Sequence, residues 1–88
     1  MATSLAFKLE SNAVLLQKII AAYTPYSYQS IDLDQEIEDV YIAKEFKLNF
    51  CHDILNTWKQ IDGAALINDM FEDLKTGNDI LKIVKYIQ

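Results

Sequence analysis

"LDQEIEDVYIAKEFKLNFCHDILNTWKQ", residues 33–60, runs without a glycine or a proline. As one unbroken helix rising about 1.5 Å per residue it would be roughly 40 Å long, more than a small domain needs. Its apolar residues fall into two stripes instead of one. Leu33, Ile37, Val40 and Tyr41 make the first; Ala43, Phe46, Phe50, Ile54 and Thr57, continued by Ile61 just beyond and flanked by Cys51, Leu55 and Trp58, make the second, and Lys44 and Lys47 fall between them. The pattern predicts two helices, over about 33–44 and 46–60, with a bend or short break within 43–49. Asp32, with Gln35 three positions on, reads as the N-cap of the first.

Upstream, Leu5, Leu9, Ala13, Leu16, Ile20 and Tyr23 recur at three- and four-residue steps, which predicts a helix over about 5–23. Ser4 and Ser11 both suit its N-cap, and Pro25 disfavours helical geometry at Thr24, so the helix ends near Tyr23. Downstream, Asp62 caps a helix over about 63–75 whose face is Leu66, Ile67, Met70, Phe71 and Leu74. Gly77 reads as a left-handed C-terminal residue, and Asn78 as the cap of a last helix over about 79–87 carrying Ile80, Ile83, Val84 and Ile87. The sequence therefore predicts a single all-α domain of four to five helices, residues 1–88, with Trp58, Phe46, Phe50, Leu66, Phe71, Ile83 and Val84 at its centre.

Composition supports that reading and excludes several functions. Two glycines and one proline are too few for the turns of an all-β domain. The net charge is −5, and none of the basic residues is an arginine, the side chain best suited to forked contacts with phosphate and guanine. Neither direct nucleic-acid binding nor docking on anionic lipid is expected. No apolar run approaches the roughly 18 residues of a membrane span, and the N-terminus lacks the basic and apolar regions of a signal peptide. One cysteine cannot form a disulfide within the chain, so a cytoplasmic location is expected.

Cys51, His52 and Asp53 stand in a row, but consecutive side chains on a helix diverge by about 100° and cannot align as a catalytic relay. Cys51 is expected in the core and His52 on the surface. The positions three and four away from His52 are Leu48, Asn49, Leu55 and Asn56, which are not normal zinc or iron ligands. No cofactor, metal or catalytic residue is expected.

Residues 61–88, "IDGAALINDMFEDLKTGNDILKIVKYIQ", resemble the end of a sterile alpha motif domain, with an Asp-Gly and a Leu pair, an acidic-Asp-Leu segment, a Gly and a closing helix. The resemblance implies self-association through helix-end surfaces. It stops there: the 13 residues between Gly63 and Gly77 are fewer than that family's fourth helix needs, and the segment before Trp58 departs from its short early helices.

Two features are left for function. "AYTPYSYQS", residues 22–30, is the longest connector and carries three tyrosines, which a plain connector does not need. "DLDQEIED", residues 32–39, holds five acids and no base. Tyr26, Tyr28, Asp32, Asp34, Glu36, Glu38 and Asp39 are therefore the expected partner-binding residues. They suit a non-catalytic interaction module, an adaptor, small subunit or homo-oligomer, that binds another protein or itself. The alternative is a small acidic inhibitor, of immunity or anti-defence type, covering a basic surface of a nuclease or nucleic-acid-binding protein.

Overall fold

Ser11 caps the first helix among the described residues, which in the computed structural model are residues 11–86. Ser4 and the earlier part of the predicted first helix lie outside those residues, as does the last residue predicted for the final helix. Helix α1 spans Asn12–Ala21; the Ser11 hydroxyl accepts from the Val14 amide, and Leu16 and Ile20 are buried. It ends just before Pro25, as the proline requires.

Helix α2, Lys47–Thr57, follows a 3-10 turn at Lys44–Phe46 and buries Phe50, Cys51 and Ile54. It runs antiparallel to α1. At one end Trp58 Nε1 donates to Asn12 Oδ1 at 3.2 Å; at the other, the rings of Tyr23 and Phe50 meet edge-on with centroids 6.0 Å apart. Helix α3, Gly63–Asp69, is capped by Asp62, whose Oδ1 accepts from the amides of Ala64 and Ala65. Helix α4 spans Gly77–Tyr86 and packs on α1, while α3 packs on α2. One core results, with Phe50, Trp58, Leu66, Phe71 and Val84 buried as expected. Phe46 is 44% exposed and Ile83 only partly covered, so neither is central.

The structure is all-α but differs from the expected elements at three places. No helix forms over 33–44. Asp32 does accept the Asp34 amide at 2.9 Å and its carbonyl the Gln35 amide, but the turn goes no further. The buried isoleucines of this segment are Ile31, Ile37 and Ile42, a spacing that no single helical face accommodates. Its backbone instead pairs with the start of α4: the Ile37 amide donates to the Lys75 carbonyl at 2.8 Å, and the Asn78 amide to the Leu33 carbonyl at 3.0 Å. Long-range pairing supplies what a helix would have supplied locally.

The third helix stops at Asp69 instead of continuing to 75. And Gly77 is neither left-handed nor a C-cap; it opens α4. There Thr76 Oγ1 accepts from the Asp79 amide at 3.2 Å while Asp79 Oδ2 accepts from the amides of Lys75 and Thr76, a reciprocal capping box in which Asn78 has no capping role. A Cβ at 77 would stand 2.5 Å from Leu33 Cδ2 and 3.3 Å from Leu33 Cβ, so a larger residue there would have to push the Leu33 side chain aside.

Two stretches close into the same loop. The Ile37 carbonyl accepts from the amides of Tyr41 and Ile42, and the Asp39 amide donates to the Ile42 carbonyl; likewise the Asp69 carbonyl accepts from Asp73 and Leu74, and the Phe71 amide donates to Leu74. The third residue of each is left-handed, Asp39 at φ 65° and Phe71 at φ 71°. No described helix is long and apolar enough to cross a membrane.

Candidate functional site

The loop at 37–42 stands beside the tyrosine-rich connector, and between them Tyr26, Ser30, Val40 and Tyr41 line an open hollow of about 460 Å³. Pro25 releases the chain from α1, and a 3-10 turn at Tyr28–Ser30 directs it back, leaving Tyr26 56% exposed. Val40 is 47% exposed, because the two hydrogen bonds to the Ile37 carbonyl tuck Ile37 and Ile42 inward and leave the loop's tip outside. Tyr41 is held by its hydroxyl, which accepts from the Asp32 amide at 2.9 Å. Apolar side chains thus face solvent beside a polar rim.

The seven expected binding residues do not contribute equally. Tyr26 lines the hollow, whereas Tyr28 is half-buried with Lys18 Nζ 5.1 Å above its ring. Asp32 is occupied by its turn, and Asp34 Oδ1 accepts from Asn78 Nδ2, tying the segment to α4. The carboxylates of Glu36, Glu38 and Asp39 make no hydrogen bond among the described residues. Sequence pattern brought Tyr26 and the acids together through proximity along the chain. It missed Val40, assigned to the interior stripe of a helix that does not form; a β-branched residue following two acids was the only hint.

A second hollow, of about 350 Å³, lies at the other edge of α1 and is lined by Tyr23, Leu48, Asn49, His52 and Asp53. Asn49 and Asp53 are one turn apart on α2, which sets their side chains next to each other. The Tyr23 hydroxyl donates to Asp53 Oδ2 at 2.5 Å. Burial, reinforced by the hydrogen bond and charge of Asp53, pushes the Tyr23 phenol far above its ordinary range. Cys51 faces away, into the core, and burial raises its thiol above the usual value despite the opposing field of Lys47. It is therefore poor thiolate material, and the row Cys51, His52, Asp53 divides between core and surface as helical geometry dictates.

No group of three or more His, Cys, Asp or Glu side chains among the described residues could hold a metal ion. No protein-family model, curated protein or solved structure matches this chain.

Proposed function

We propose that this chain is a non-catalytic protein-protein interaction module that engages another protein, or a second copy of itself, through the surface from Tyr26 to Tyr41. The observation that supports it most is the hollow lined by Tyr26, Ser30, Val40 and Tyr41, where an aromatic and an aliphatic side chain stand about half in water, with three carboxylates nearby on the segment of Val40 that have no partner among the described residues. A tyrosine ring offers large contact area with little rotamer entropy to lose, and clustered exposed apolar groups are characteristic of binding surfaces. A cytoplasmic setting fits this reading, since Cys51 is a free buried thiol.

The test compares the wild-type protein with the double variant Tyr26→Ala, Val40→Ser, whose helical content is checked first. The wild type is expected to self-associate by light scattering or to retain a stoichiometric partner from its source organism, and the folded variant to lose that association. A strictly monomeric wild type that retains nothing, or a variant that keeps its partner, defeats the proposal.

A second reading, the acidic inhibitor, draws on Glu36, Glu38 and Asp39, whose charges have no partner among the described residues. Association would then slow steeply with added salt and fall on converting these three to Gln, Gln and Asn. A salt-insensitive rate would reject it.

A further inference from the structure

The second hollow has a chemistry that the interaction surface lacks. Its floor is the Tyr23–Asp53 pair, and its rim is Leu48, Asn49 and His52. Asp53 Oδ2 accepts a hydrogen bond from the Tyr23 hydroxyl, while Oδ1 accepts nothing from the described residues. One turn back, the Asn49 side chain offers an amide oxygen as a second acceptor, on a residue whose Cβ is about 5–6 Å from that of Asp53, the usual spacing of such neighbours. Leu48, 55% exposed, gives the rim an apolar wall, and Phe46 lies behind Tyr23 with ring centroids 6.3 Å apart. Among the described residues no lysine lines the hollow.

We infer that this hollow receives a guanidinium group on an alkyl stem. Two acceptors one turn apart, one of them a carboxylate, match a planar fork of N–H donors better than a point-like ammonium. The apolar wall suits the methylene stem. The Tyr23 hydroxyl occupies Oδ2 and leaves Oδ1 for an incoming cation. The volume is at the lower end of the range for small-ligand sites, which accommodates a side chain and not a nucleotide. The site is independent of the Tyr26 surface and stands whether or not that surface binds a protein.

The probe is N-acetyl-arginine methylamide, titrated into the full chain while the NMR signals of Tyr23, Asn49, His52 and Asp53 are followed. The matched lysine and citrulline compounds serve as comparisons. Saturable shifts centred on these four residues are expected for the arginine compound, about tenfold weaker binding for lysine, and none for citrulline, which has the shape without the charge. Asp53→Asn should weaken the arginine compound by about tenfold or more. Because that change also alters the Tyr23 contact, Tyr23→Phe is measured beside it; it frees Oδ2 and should leave binding equal or stronger. Equal response to citrulline, shifts centred on residues 32–39 instead, an undiminished Asp53→Asn variant, or no saturable shift would each overturn the inference.

Discussion

In the loop at 37–42 the left-handed position holds Asp39, an exposed carboxylate; in the loop at 69–74, with the same hydrogen bonds, it holds Phe71, a ring 6% exposed and stacked on Phe50 with centroids 6.4 Å apart. For an L-residue the left-handed conformation costs roughly 1–2 kcal/mol, less for Asp, whose short side chain tolerates it. At 71 a bulky residue accepts that cost because its ring is worth more in the core. At 39 the side chain does no packing, so it is available to whatever approaches the loop. One backbone device thus serves two ends: where its third residue points inward it closes the core, and where that residue points outward it builds a surface.

The comparison breaks most readily at Phe71. Replacing it with alanine removes the stacked ring and should destabilise the protein by about 3–4 kcal/mol. Glycine removes one atom more, yet it adopts φ 71° without strain, so Phe71→Gly should be less damaging than Phe71→Ala by roughly 0.5–1 kcal/mol. Urea unfolding of both variants measures the difference. Glycine equal to or worse than alanine, its usual rank elsewhere, would mean that the loop does not hold strain at this residue.

The exit from the second loop gives a smaller effect with a pH signature. Asp79 is held below its ordinary value of 3.8 by the Thr76 amide first, then by the Lys75 amide and Thr76 hydroxyl, with slight burial opposing them. A carboxyl group depressed in the folded state adds stability above its unfolded value and loses it as pH falls through the folded one. Asp79→Ala should therefore cost about 1 kcal/mol at neutral pH, the scale of a lost cap, and the gap from wild type should narrow as pH drops below 3.8. A gap constant with pH would show that the carboxylate charge is irrelevant to the cap.

These loops are also where sequence pattern and structure part. Ser11 and Asp62 cap the helices expected of them, and the stripe Phe50, Cys51, Ile54 in α2 was legible because each depends on neighbours within one or two turns. Leu33, Ile37, Val40 and Tyr41 also have helical spacing, but the backbone there is paired with Lys75 and Asn78, far along the chain, and periodicity carries no information about such pairing. The same blindness extended the third helix through Phe71. Thr76 and Asp79, three apart and just before an apolar run, were a readable capping box, overlooked in favour of Gly77 and Asn78. As for the surface, Tyr26 and the acids could be named from composition, whereas Val40 and Tyr41 join it only through the closed loop.

Asp39 supplies the subtlest test. If its left-handed backbone is set by the loop and not by its own side chain, glycine should relieve a small strain at no loss of packing, because the residue is exposed. Asp39→Gly should then stabilise the protein by roughly 0.5 kcal/mol, opposite in sign to the same replacement at Phe71. A unit of negative charge leaves the acidic segment with it, which by itself lowers repulsion from Glu36 and Glu38. Asp39→Asn separates the two contributions, since it removes the charge and keeps a side chain that tolerates the left-handed region. Stabilisation by both variants alike would assign the gain to charge; stabilisation by glycine alone would assign it to the backbone, and the loop would then be a rigid frame that sets Val40 and Tyr41 in place whichever residue occupies its third position.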